Sequence, residues 1–98
     1  MNITMTRNGS ELITAVEGRL DTLTSPELEA ALEKSLDGVE RLVFDFAELR
    51  YISSAGLRVL LTAMKIMEEQ GEMTVRNVSP EVMDVFEVTG FIDDLTIE

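Results

Sequence analysis

Two adjacent serines, Ser53 and Ser54, occupy the position in this chain where a side chain could do chemistry. They follow an apolar run typical of a buried strand, Leu42 to Phe46, and a short polar connection. A long apolar helical pattern begins directly after them, near Ala55. The first N–H groups of a helix have no partner inside it, and the helix dipole favours negative charge there. A hydroxyl at this place either caps the helix or carries a phosphate, and local chemistry alone favours Ser54 as a cap.

Other polar residues are expected at the same edge of the fold. In a parallel sheet, the loops that leave the carboxyl ends of the strands meet at one edge. Here those loops are Gly18 to Ser25, Glu48 to Ser54 and Asn77 to Ser79. Asp21 and Thr24 should therefore lie beside the two serines. Gly56 either lets a ligand or a partner backbone approach closely or packs the helix tightly on the sheet. Arg58, one turn into the helix, can reach outward.

The elements that must position these residues follow the order ββαβαβαβ. Alternating or apolar runs predict the strands, and Ser-Pro pairs predict helix starts with Ser25 and Ser79 as caps. The predicted strands are Ile3–Met5, Leu12–Val16, Arg41–Phe46, Glu72–Arg76 and Leu95–Ile97, and the helices start at Ser25, Ser54 and Ser79. Asn8-Gly9 indicates an antiparallel hairpin. We expect one α/β domain over residues 1–98, with a mixed sheet of four to five strands and helices mainly on one face.

Composition excludes several functions. The chain has no cysteine and no histidine, which removes thiolate zinc sites and ordinary Ser-His-Asp or Cys-His catalysis. A formal charge of −11 argues against nucleic acids and anionic membrane surfaces. No signal peptide and no apolar run of roughly 20 residues is present, so we expect a cytoplasmic protein without membrane insertion. We expect no metal and no cofactor. An enzyme that uses Asp21 and Asp45 as paired carboxylates is disfavoured, because Asp45 lies within a strand.

Six segments distributed over the whole chain resemble the anti-sigma-factor antagonists of the STAS domain family. They are Gly18–Asp21, Leu42–Phe46, Tyr51–Arg58, Gly71–Val75, Asn77–Pro80 and Phe86 to Phe91. The resemblance implies a bacterial partner-switching protein that is not itself an enzyme. Its unphosphorylated form would bind an anti-sigma factor that is also a serine kinase, and so release a sigma factor. Phosphorylation of one serine would break that complex, and a PP2C-type phosphatase would restore it.

Matching by the glycine two residues further on, the resemblance makes Ser54 the phosphorylated residue. Many family members have an aspartate directly before that serine, where this chain has Ser53, so Ser53 is the second candidate. The loop aspartate of the family falls on Asp21. The expected partner-binding residues are Asp21, Thr24, Ser53, Ser54, Gly56 and Arg58. The alternative function is a STAS subunit that docks on a transporter or another signalling complex without being phosphorylated. We expect a monomer or a weak dimer.

Overall fold

The ten-residue strand β2 (Glu11–Leu20) is the centre of the fold, because three other strands pair with it. The computed structural model describes residues 1–98. In chain order the other elements are β1 (Asn2–Asn8), α1 (Ser25–Ser35), β3 (Arg41–Asp45), β4 (Leu49–Ile52), α2 (Ser54–Gln70), β5 (Glu72–Arg76), α3 (Pro80–Thr89) and a 3-10 turn (Phe91–Asp93). No helix is both long enough and apolar enough to cross a bilayer.

The sheet is mixed, as predicted. β1 and β2 form the expected antiparallel hairpin, while β2 with β3 and β3 with β5 are parallel, which gives the order β1-β2-β3-β5. β4 pairs in parallel with the last residues of β2, beyond the point where β3 ends. Parallel neighbours joined through α1 and α2 bring the carboxyl ends of β2 and β4 to the same edge.

Two strand predictions were wrong. The polar connection between Glu48 and Ser54 contains β4, whose four residues are too few to show an alternating pattern. Leu49 and Ile52 of that strand are nevertheless fully buried. The expected last strand, Leu95–Ile97, is reduced to one parallel bridge between Ile97 and Val75. Among the strand residues, only Val75 bonds to this segment, donating to the carbonyl of Thr96 and accepting from the N–H of Glu98, both at 2.9 Å, and the observed order is ββαββαβα.

The helices pack mainly on one face of the sheet. Alternate residues of the central strands, such as Leu12 and Val16 of β2 and Phe44 of β3, join the helices in the main core. The other face is more polar. On it, the guanidinium of Arg41 lies within 4 Å of the carboxylates of Glu11, Glu72 and Glu98.

Candidate functional site

Ser53, not Ser54, caps α2. Ser53 has an extended backbone, and its side-chain oxygen accepts a hydrogen bond from the N–H of Gly56 at 3.4 Å. Its own N–H donates to the carbonyl of Leu20 at 2.9 Å, which ties the cap to β2. Ser54 is the first residue of the helix, is exposed to solvent, and makes no side-chain hydrogen bond. The cap interpretation of Ser54 was therefore wrong, and its hydroxyl is free.

Gly56 packs the start of α2 against the sheet. A β-carbon built at this buried residue would lie 2.8 Å from Cγ1 of Ile52 and 2.9 Å from Cγ of Leu20. Such distances are too short for carbon atoms, so only glycine fits here. Of the two roles considered for Gly56, the structure shows the packing role, and the residue is not on the surface. By this packing Gly56 fixes where α2 begins, and with it the position of Ser54.

Asp21 and Thr24 organise a tight turn between β2 and α1. A carboxylate oxygen of Asp21 accepts hydrogen bonds from the N–H groups of Leu23 at 3.0 Å and Thr24 at 3.1 Å. The hydroxyl of Thr24 donates to the carbonyl of Arg19 at 2.7 Å and accepts from the N–H of Asp21. These bonds present Leu23, 89% exposed, at the tip of the turn. Leu23 was not among the residues predicted from the sequence, because an isolated leucine in a loop is common and only its exposure distinguishes it.

The electrostatics of Asp21 follow from this turn. The hydrogen bond from the N–H of Thr24 is the largest influence, and it holds the pKa of the Asp21 carboxyl below its usual value. Partial desolvation acts in the opposite direction. The N–H of Leu23 and the guanidinium of Arg19, 3.8 Å away, add to the lowering. Asp21 is thus an ionised hydrogen-bond acceptor engaged within its own loop.

The predicted cap at Ser25 was also wrong. Thr24 occupies the N-cap position of α1, but its hydroxyl bonds back into the preceding turn and does not cap the helix. Ser25 is the first helical residue, and its buried hydroxyl has no hydrogen-bond partner. The cap predicted at Ser79 is confirmed, since its side chain accepts from the N–H of Val82 at 3.3 Å.

Two open clefts flank the exposed side of α2. The α1 cleft, about 250 Å³, lies between α1 and α2, and its walls include Thr22, Pro26, Glu29, Ala55, Arg58 and Thr62. The α3 cleft, about 290 Å³, lies between α2, the end of α3 and the 3-10 turn, and it is lined by Ser54, Leu57, Arg58, Leu61, Thr89 and Phe91. A third cleft, beside Met67 and β5, is at the opposite end of α2 and remote from Ser54. Arg58 alone belongs to both clefts near the serines.

Arg58 is also the only arginine whose side chain makes no hydrogen bond and no ion pair within the chain. It is exposed, and no carboxylate lies within 4 Å of it. The other arginines have partners: Arg19 with Asp21, Arg41 with Glu11, Glu72 and Glu98, Arg50 with Glu48, Arg76 with Asp45, and Arg7 with the carbonyls of Gly9, Ser35 and Asp37. The structure therefore brings a free hydroxyl and a free cation together at one surface.

Asp45 is engaged elsewhere. Its carboxylate accepts hydrogen bonds from the side chain of Asn77 and the N–H of Ala47, both at 3.1 Å, and lies 3.5 Å from the guanidinium of Arg76. Burial acts to raise the pKa of Asp45, but these three neighbours outweigh it and the pKa is lowered. These bonds join the end of β3 to the end of β5. Asp21 and Asp45 each serve a separate structural network.

Over nearly its whole length the chain is similar to a known protein family, to named relatives and to solved structures. A family model described as the STAS domain matches residues 2–98. BtrV of Bordetella bronchiseptica, named as an anti-sigma factor antagonist, is 40% identical over 94 residues, which cover 94% of this chain and 81% of BtrV. The solved structure of the anti-sigma factor antagonist SpoIIAA in its unphosphorylated form matches with a TM-score of 0.86 at 20% identity, covering 99% of this chain and 88% of the other. The phosphorylated form of Bacillus SpoIIAA matches with a TM-score of 0.77 at 19% identity, covering 99% and 91%.

Proposed function

This chain belongs to the STAS domain family, and we propose that it acts as an anti-sigma factor antagonist, as its named relatives do. We propose that residues 1–98 form one functional domain. In its unphosphorylated form it binds an anti-sigma factor that is also a serine kinase. Phosphorylation of Ser54 switches this binding off, and a PP2C-type phosphatase restores it. The protein works in the cytoplasm as a monomer or weak dimer, without a cofactor and without catalysing a reaction itself.

The observation that carries the proposal is the division between the two serines. The Ser53 hydroxyl is occupied by the helix cap, whereas the Ser54 hydroxyl is exposed and unbonded one residue later. A kinase must reach the hydroxyl it modifies and must not have to break a helix cap to do so. Ser54 meets both requirements. Ser53 is less exposed, and its hydroxyl is engaged in the helix cap.

The position of Ser54 also suits a phosphate that blocks binding without unfolding the chain. A phosphoserine adds about −1.5 to −2 charge and three acceptor oxygens. The N-terminus of α2 tolerates that charge. A partner packed over Ser54 would meet added bulk, desolvation cost and repulsion from its own carboxylates. SpoIIAA has been solved in unphosphorylated and phosphorylated forms that both share this fold, which supports a switch that leaves the fold intact.

The proposed binding surface combines charge and exposed apolar area around Ser54. Leu23 projects from one side, and the α3 cleft offers the partly exposed side chains of Leu61 and Phe91 on the other. Arg58 stands between them. Asp21 and Thr24 contribute by holding the Leu23 turn in place. Apolar anchors surrounded by a few polar groups are the usual composition of a specific protein interface.

The test is capture of partners from the native organism with tagged wild type, Ser54→Ala and Ser54→Asp. We expect wild type and Ser54→Ala to recover an ATPase related to histidine kinases, and Ser54→Asp to lose it. Ser10→Asp is the matched control, because it adds the same charge at an exposed site in the β1–β2 turn, at the other end of β2. Equal recovery of the kinase by Ser54→Asp and Ser10→Asp would overturn the proposal. Equal recovery of transporter subunits by all variants would favour the docking alternative.

A further inference from the structure

We propose that Arg58 binds the phosphate carried by Ser54, and that phosphorylation thereby removes the one free arginine from the partner-binding surface. This inference rests on the proposed function, since it concerns the same serine. It adds a second effect to the switch: the phosphate blocks the surface, and it also neutralises the cation with which that surface would attract a carboxylate of the partner.

The spacing of the two residues places them together. Ser54 and Arg58 are four residues apart in α2, and side chains at that spacing lie on the same helix face with β-carbons about 5–6 Å apart. Both side chains line the α3 cleft. The order along the helix is also the favourable one, because an anion four residues before a cation interacts better than the reverse order.

Arg58 is available for this interaction. Every other arginine of the chain already contacts a carboxylate or a backbone carbonyl, whereas Arg58 contacts none. Glu29 is the one carboxylate in the walls of the two clefts, and it is not within ion-pair distance of Arg58. A guanidinium can meet two phosphate oxygens at once, so phosphate on Ser54 gives Arg58 a stronger partner than any it now has.

The overall charge makes the loss of this cation consequential. The chain has 19 acidic and 8 basic residues. Of the basic residues, only Arg58 lines the clefts beside Ser54. Once a phosphate engages it, the surface around Leu23 and the α3 cleft presents no free positive charge. An acidic partner would then be repelled by the remaining charge as well as by the phosphate.

The experiment is a phosphorus-31 NMR titration of protein that carries phosphoserine at position 54, incorporated during translation so that no kinase is needed. A neighbouring guanidinium favours the doubly charged phosphate, and its removal must raise the pKa of the second ionisation. We expect Arg58→Gln to raise that pKa by about 0.2 to 0.7 of a pH unit, the range for an exposed ion pair. Arg58→Lys should recover part of the lowering.

Lys65→Gln is the matched control. Lys65 is exposed on the same helix, has no carboxylate partner, and lies about two turns further from Ser54. Removal of its charge should shift the phosphate pKa by about 0.1 unit or less, because screening at ordinary salt acts over roughly 8–10 Å. A shift in Arg58→Gln no larger than that in Lys65→Gln would overturn the inference.

The same samples separate this inference from the proposed function. Capture of the kinase by chains with serine and with phosphoserine at position 54 tests the switch itself. If both chains bind the kinase equally while Arg58→Gln still shifts the phosphate pKa, the proposed switch is wrong and the proposed ion pair is supported. If phosphoserine abolishes binding while Arg58→Gln leaves the phosphate pKa unchanged, the proposed ion pair is wrong and the proposed switch is supported.

Discussion

The side-chain oxygen of Ser53 accepts a hydrogen bond from the backbone N–H of Gly56 at 3.4 Å. This contact gives two neighbouring serines different duties. Ser53 satisfies one of the donors left free at the start of α2, and Ser54 projects into solvent from the first turn of that helix. The structural hydroxyl and the proposed regulatory hydroxyl are therefore separate, and a change at one need not disturb the other.

Substitution should separate the two duties. We expect Ser53→Ala to lower the free energy of unfolding by about 0.5–1 kcal/mol, the lower range for loss of an N-cap, since the bond is long. For a chain of this size, that loss lowers Tm by about 2–8 °C. Ser54→Ala should change stability by less than about 0.5 kcal/mol, as an exposed substitution usually does. Thermal unfolding followed by circular dichroism measures both, and an equal loss in the two variants would contradict the assignment of the cap.

Gly56→Ala should destabilise the junction between α2 and the sheet. The added methyl group would overlap Ile52 and Leu20, which are buried and cannot move freely. We expect a loss of about 1–3 kcal/mol in urea unfolding, the usual range for overpacking. Glu69→Ala, an exposed position on the same helix, is the control and should be nearly neutral. Equal stability of the two variants would mean that the junction has more room than the distances indicate.

Asp21→Ala should loosen the turn that presents Leu23. Without the carboxylate, the N–H groups of Leu23 and Thr24 lose their acceptor, so we expect faster hydrogen exchange at these two amides. Asp93→Ala removes an exposed carboxylate that accepts no hydrogen bond and should leave them unchanged. Unaltered exchange in Asp21→Ala would show that the turn does not depend on this side chain.

Leu23→Ser tests whether the turn matters for binding. This change keeps the hydrogen bonds of Asp21 and removes only the exposed apolar side chain. Loss of an interface anchor costs at least about 1.4 kcal/mol, so we expect affinity for the kinase to fall about tenfold or more. Val88→Ser is a suitable control, because Val88 is equally exposed but lines neither cleft beside Ser54. Isothermal titration with the captured kinase gives both affinities, and equal values would exclude Leu23 as an anchor.

The pH dependence of stability should reflect Asp45. Its pKa is lower in the folded chain than the ordinary value of 3.8, so the unfolded chain binds a proton more readily. The stabilisation by the ionised Asp45 carboxylate is fully present well above pH 3.8. It is lost as the pH falls through the lowered pKa of Asp45 in the folded chain. We expect Asp45→Asn to reduce the loss of stability in acid, measured by urea unfolding between neutral pH and pH 3. A dependence of stability on pH that is unchanged in Asp45→Asn would place the acid sensitivity elsewhere.

Most of the fold could be predicted from the sequence because the residues that mark its turns and helix starts are distinctive. Asn8-Gly9 identified the hairpin, and the Ser-Pro pairs marked the beginnings of α1 and α3. β4 was missed because four residues with buried ends and an exposed middle show no period. Which of two adjacent serines caps a helix depends on a backbone angle, and composition does not encode that angle. Only the structure assigned the cap to Ser53.

The region of the candidate site could be predicted from the sequence, but the separate contacts of its residues could not. Parallel topology was enough to place Asp21 near the serines. The hydrogen bonds that turn Asp21 inward, the burial of Gly56 and the isolation of Arg58 depend on distances between elements far apart in the chain. Leu23 was overlooked because a single leucine in a loop is common, and only its exposure distinguishes it.

The wall of each cleft that faces α2 comes from an element that does not fix Ser54. Glu29 belongs to α1, and Thr89 and Phe91 belong to the end of α3 and the 3-10 turn, whereas Ser53 and Gly56 hold the start of α2. Substitutions in the walls can therefore change which protein is recognised while the phosphorylated position stays the same. One scaffold can supply several signalling circuits in a single cell that share their chemistry and remain insulated from one another, and altering a few wall residues is a route to building such orthogonal pairs.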